Sequence, residues 1–212
     1  NPWDVRKAIK ENTVLISNLY ANNEIGTIQP IEEIADIVAR ENKKRKQKIY
    51  FHTDAVQAIN YLDCNVETLN IDFLTLSAHK IYGPKGIGAL YVKDKKSIQP
   101  IIFGGNQEFG LRSGTENVAS IVGFGAAIEL AKKHKDIKTI RASRDKIIKY
   151  ILTTPDASIN GSIKDRLPNN INASFSGVEG EALLMLLNQK GIFVSTGSAC
   201  SSKELKPSHV LL

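Results

Sequence analysis

A lysine at the end of an apolar run is the first residue whose position suggests chemistry. Lys80 follows DFLTLSA, which reads as a buried strand, and lies inside LSAHKIYGPKGIGALYV, where a glycine-spaced turn and a second apolar run come after it. Most other lysines sit in charged clusters, where a solvated face is the default. Three short stretches carry polar groups in comparable positions after apolar runs: ANNEIG with Asn23, TDAVQ with Asp54 and Gln57, and SAHK with Ser77, His79 and Lys80. In an open α/β sheet, ligands sit beyond the carboxyl ends of the parallel strands, so these loops are expected to share one rim. A carboxylate, an amine, an imidazole and three neutral hydrogen-bonding groups would meet there.

Pyridoxal phosphate makes those demands. It requires a lysine for a Schiff base, a carboxylate facing the pyridinium nitrogen and donors for its phosphate. Lys80 and Asp54 supply the first two. Taken singly, Asp54 fits a helix N-cap or turn residue equally well, and His79 fits a structural histidine; only their joint placement points to a cofactor. The glycines do not favour a nucleotide. GPKGIG lacks the order GxGxxG, and FGGNQEFGLRSGT lacks the GK[ST] of a phosphate loop. RSGT precedes a helical pattern, which offers Ser113 and Thr115 as N-caps or anion contacts. Cys200, among the small residues of STGSACSS, suits an accessible loop, where a modest fall from a thiol pKa of about 8.5 yields useful thiolate at neutral pH. Cys64, in YLDCNVETL, reads as incidental. No Cys or His pair has zinc-ligand spacing, so no metal is expected.

The elements that must hold these residues alternate. TVLISNLY (13–20), KIYFHTDA (48–55) and DFLTLSA (72–78) read as strands, and PIEEIADIVAREN (30–42) as a helix with Ile31, Ile34, Ala35 and Val38 on one face. NVETLNI is a helix-like insertion. Alternation of this kind predicts parallel strands with right-handed crossovers. GIGALYV (86–92) follows too closely for a crossover and should return antiparallel, giving a mixed sheet. From about 117 the chain turns to long helices, then to NNINASFS and the helical EGEALLMLLNQKG. This predicts a larger α/β unit over 1–129 and a smaller one over 130–212.

Composition narrows the class further. The 212 residues carry a net charge of +6 and a pI of about 9.2, but without a basic groove interleaved with aromatics, so nucleic acid is not expected. The densest basic run, KKRKQK at 43–48, closes a helical pattern, where cations complement the helix dipole. No apolar run approaches the ~20 residues that span a bilayer, and none resembles a signal peptide. No membrane association and a cytoplasmic location are therefore expected. With two cysteines, a reduced compartment is favoured over a disulfide framework. The start at NPWDV and the stop at PSHVLL suggest cuts inside a longer protein.

In this order NNEIG, DAVQ, SAHKIYGPKGIGALYV, LRSGTENV, VEGEALL and STGSACSS resemble the pyridoxal-phosphate-dependent cysteine desulfurases of aminotransferase class V, the type serving iron–sulfur cluster assembly and nitrogenase maturation. TGSACSS followed by LKPSHVL separates this branch from transaminases. The resemblance implies a fold-type I transferase. It also implies that Lys80 binds the cofactor, Asp54 pairs with its ring nitrogen, Gln57 contacts its phenolic oxygen with Asn23 alongside, and Ser77 and His79 hold its phosphate. Thr115 would reach the phosphate of a neighbouring subunit, making a homodimer part of the site. Cys200 would accept sulfur from L-cysteine as a persulfide, leaving alanine, and pass it to a sulfur-acceptor scaffold protein. A related lyase or transaminase, selenocysteine lyase-like, is one alternative, and an inactive fragment that only docks a scaffold is another. The family's ring-stacking histidine, phosphate-cup threonine and substrate-binding arginine fall outside this chain, so the isolated chain is expected to be inactive.

Overall fold

The computed structural model describes residues 1–133, 136–196 and 208–211. The residues group into two compact units, 1–20 with 29–135 and 21–28 with 136–212.

The first unit is built on a four-stranded sheet. Strands β1 (Leu15–Leu19), β2 (Tyr50–Asp54) and β3 (Phe73–Ser77) pair in parallel, and β4 (Gly88–Val92) returns antiparallel on β3. The expected mixed sheet is thus present, in the order β1-β2-β3-β4. Helix α1 (Pro2–Ala8) precedes it, α2 (Ile31–Asn42) and α3 (Val66–Leu69) lie in the crossovers, and α4 (Val118–Lys133) follows. The apolar face read from the sequence is the buried face of α2: Ile31, Ile34, Ala35 and Val38, joined by Ile37. Ile31, Ile34, Ala35 and Val38 pack with Phe51, Leu74 and Leu69 into one core. The α1 helix has no apolar periodicity long enough to read, although Asn1 caps it through a bond from Trp3 N, Pro2 opens it and Asp4 sits in its first turn.

The basic run at 43–48 is used structurally. Arg45 donates to the carbonyls of Lys10, Glu11 and Thr13, and Lys48 pairs with Asp72 at 2.6 Å. Each cation closes a loop beside the sheet.

The second unit contains α5 (Ile137–Ile151), the antiparallel pair β5 (Ala157–Ile159) and β6 (Ala173–Phe175), and α6 (Gly180–Gln189). Two buried arginines brace it. Arg144 donates to the carbonyls of Arg166 and Leu167 while pairing with Asp145, and Arg166 donates to the carbonyls of Ser162 and Asn160. Burial, reinforced by the Arg144 charge, lowers the Arg166 pKa; carbonyl acceptors offset the lost hydration. No helix among the described residues is long and apolar enough to cross a membrane.

Candidate active site

The presentation of Lys80 follows from the residues around it. Strand β3 ends at Ser77 and runs directly into a short 3-10 helix, Ala78–Ile81. Side chains three apart eclipse in such a helix. Ala78 and Ile81 therefore share one side, fully buried against Phe124 and Ala127 of α4, and His79 and Lys80 are left exposed. The turn is closed by Gly83 N donating to Ala78 O. A Cβ on Gly83 would come within 2.9 Å of that carbonyl and 3.1 Å of the Ala127 methyl, so glycine is required for the approach. Tyr82, between them, holds a left-handed conformation at φ 63°, a strained state for a non-glycine residue that tends to accompany functional turns. Asn60 reaches the Lys80 carbonyl through its side-chain amide at 3.4 Å.

Asp54 and Gln57 lie at the carboxyl end of β2. Asp54 pairs in register with Thr75 of β3, two residues before Ser77. Its Oδ1 accepts from Val56 N at 2.9 Å, so it is also the turn residue that its sequence position allowed. Gln57 is half-buried in the turn that follows. Ser77 Oγ and His79 Nδ1 are 2.8 Å apart, which joins two of the expected phosphate-side groups directly.

Below this rim runs a row of polar side chains that the sequence did not single out. His52 Nδ1 lies 2.8 Å from Ser17 Oγ and its Nε2 lies 2.8 Å from Thr75 Oγ1, tying three parallel strands together. Burial lowers the His52 pKa, and the Asp54 carboxylate partly opposes the shift. The imidazole thus has a hydroxyl at each ring nitrogen, two residues before Asp54 on the same strand.

A family model described as aminotransferase class V matches residues 1–212. The chain belongs to that family. It is 50% identical over 214 residues to the cysteine desulfurase IscS of Dictyoglomus turgidum, covering 100% of this chain and 53% of the relative, and 52% identical over 213 residues to the cysteine desulfurase IscS of Methanosarcina thermophila, covering 100% and 51%. The fold is shared with a NifS-like protein at a TM-score of 0.84 and 39% identity, over 92% of this chain and 53% of the other. It is also shared with SspA in complex with cysteine at 0.78 and 38%, over 100% and 57%. The chain spans about half the length of the curated relatives it matches.

The remaining expected residues of this class-V chain are placed as follows. Asn23 is exposed in the segment 21–28, which belongs to the second compact unit, whereas Asp54, Gln57, Ser77, His79 and Lys80 belong to the first. Thr115 is exposed ahead of α4. Neither it nor Ser113 caps that helix. Asn117 does, accepting from Ser120 N, while Ser113 donates to Gly105 O at 2.7 Å. Cys200 lies outside the described residues. Cys64 is half-buried, and burial, with Asp63 adding, pushes its thiol up to about 12, which removes it as a nucleophile at neutral pH. No group of three or more His, Cys, Asp or Glu among the described residues could hold a metal ion. The donor set of the first unit, an amine, a carboxylate, an amide and a bonded hydroxyl–imidazole pair at the ends of adjacent strands, fits the chemistry of pyridoxal phosphate.

Proposed function

We propose that the protein to which this chain belongs is a pyridoxal-phosphate-dependent cysteine desulfurase that converts L-cysteine to L-alanine and carries the sulfur on Cys200. The observation that carries this reading is the placement of Lys80 on a turn forced outward by buried Ala78 and Ile81, next to the strand end bearing Asp54, in a chain about half identical to cysteine desulfurases. Residues 1–129 are assigned to part of the large cofactor domain and 130–212 to part of the small domain. The grouping of 136–212 as a unit supports that division, with 21–28 joining it.

When bound, the cofactor supplies an electron sink for bond breaking at the substrate. Lys80 would hold it through the side-chain amine and would carry the substrate α-proton. Asp54 would pair with the ring nitrogen and keep it protonated. Gln57 would contact the phenolic oxygen, with Asn23 beside that oxygen and the substrate, and Ser77 and His79 would hold the phosphate; Thr115 would reach the phosphate of a second subunit in a homodimer. The Cys200 thiolate attacks the substrate sulfur. The carbon–sulfur bond breaks with its electron pair left on carbon, which takes up a proton on the way to alanine, and Cys200 retains the sulfur as a persulfide. A scaffold protein assembling iron–sulfur clusters in the cytoplasm is the proposed acceptor.

The test is borohydride reduction of the cofactor-loaded full-length protein, followed by peptide mapping. The label is expected on Lys80 and is lost in Lys80→Ala. A label on another lysine, or cofactor-loaded protein that releases no alanine from cysteine, would refute the assignment.

A further inference from the structure

The second unit holds a buried carboxylate that the proposed chemistry does not use. Glu24, 9% exposed, follows Asn23 in the loop 21–28. The loop around it is fixed from several sides. Asn22 Oδ1 accepts from Glu24 N at 2.8 Å and from Ile25 N at 2.9 Å, which sets a tight turn. The Glu24 carbonyl accepts from the side-chain amides of Asn170 at 2.9 Å and Asn172 at 3.3 Å. Asn170 is itself held by Arg166, which is 2% exposed, through Nη1 at 2.9 Å. Gly26 adopts φ 67°, and a Cβ there would meet the Asn170 side chain at 2.5 Å, so the close approach needs glycine both for its backbone and for its missing side chain.

With its backbone fixed in this way, Glu24 directs Oε2 at Ser208 Oγ, 2.5 Å away and 184 positions along the chain. The Ser208 hydroxyl is committed in both directions, donating to Glu24 and accepting from Val210 N at 3.1 Å. A hydroxyl donating to a carboxylate that is largely shielded from water makes a charge-assisted hydrogen bond. Ser208 stands eight positions after Cys200.

We propose that Glu24 is a positioning residue for sulfur transfer. Through Ser208 it anchors the carboxyl-terminal flank of the segment carrying Cys200 to the loop that carries Asn23, so that one carboxylate sets both the substrate-side amide and the tether of the acceptor thiol. The inference rests on the reading of Cys200 as sulfur acceptor, and the experiment separates the two.

In the full-length protein, Ser208→Ala, Glu24→Ala, Glu24→Gln and the double Glu24→Ala/Ser208→Ala variant are compared with the unaltered sequence by two readouts. The first is the rate of Cys200 alkylation by iodoacetamide, resolved by peptide mass, which needs no cofactor. It is expected to rise severalfold in Ser208→Ala and Glu24→Ala. The second is single-turnover persulfide formation on Cys200, expected to slow about tenfold, in line with loss of one charge-assisted hydrogen bond. In Ser208→Ala, cofactor absorbance and its change on adding cysteine should hardly move. Glu24→Gln, which can still accept from Ser208, should recover part of both effects. The double variant should be no worse than either single one, because both remove the same bond; a merely structural loss would instead add and would reduce cofactor loading. Unchanged alkylation in Ser208→Ala, or additive losses, overturns the tether. If the unaltered protein forms no persulfide on Cys200, the functional reading falls, and the alkylation rates still decide the tether.

Discussion

The buried state of Cys64 makes a quantitative prediction about thiol chemistry. Its pKa is pushed up from 9.0 to about 12, first by burial and then by the Asp63 charge. At pH 7 the thiolate population therefore falls about a thousandfold relative to an exposed thiol. Part of this is returned, because a more basic thiolate is a better nucleophile; with a Brønsted coefficient of ~0.4–0.5 the recovery is roughly twentyfold. The net expectation is alkylation about fiftyfold slower in the folded protein than in the same chain in urea, before any limit on access. The assay uses a Cys200→Ser background, in which Cys64 is the remaining thiol, with iodoacetamide at pH 7 and peptide mass readout. The folded-state rate should also climb about tenfold per pH unit through pH 10, well beyond where an exposed thiol levels off. Equal rates in buffer and urea, or a plateau near pH 9, would show that the thiol is not held in an apolar environment and would return Cys64 to candidacy as a sulfur acceptor.

Two further outcomes are expected. Phe51, 1% exposed between the sheet and α2, should cost about 3–5 kcal/mol when replaced by Ala, whereas Leu90→Ala at a 51%-exposed position should stay within about 0.5 kcal/mol; urea midpoints compare the two. Because burial lowers the His52 pKa below 6.5 in the native state, the unfolded chain takes up this proton first as pH falls, so stability present above about pH 6.5 is lost on acidification through the folded-state pKa. His52→Gln should therefore lose less stability between pH 7 and 5 than the unaltered sequence, and parallel urea-midpoint profiles would refute the sign.

The sheet was legible because its signals are local. Each of β1, β2 and β3 is a short apolar run followed by a polar loop, and the hydrophobic face of α2 can be counted at 3.6-residue spacing. The antiparallel return of β4 followed from the length of the loop alone. The two-turn α1 has its caps but no repeated apolar face, and β5 and β6, at three residues each, are shorter than any alternation can reveal. Ser113 and Thr115 looked like caps because they precede a helix, yet Asn117 stands nearer the first turn and takes the bond.

The candidate site divides along the same line. Lys80 could be found because the residues that aim it, Ala78 and Ile81, are its sequence neighbours, and the apolar contacts of those two with α4 decide which way the polar pair points. What could not be read is every partner chosen by tertiary pairing. His52 looks ordinary between Phe51 and Thr53 until strands 35 and 23 positions away bring Ser17 and Thr75 to its two nitrogens, and Glu24 looks like a solvated loop carboxylate until the chain returns 184 positions later. A polar residue's type announces what it can bond, but burial decides whether that bond matters, and burial at these positions is set by apolar residues elsewhere. The chemistry-bearing groups of this chain are thus readable to the extent that their orienting neighbours are local, which is why the rim lysine emerged from the sequence and the bonds made by His52 and Glu24 did not.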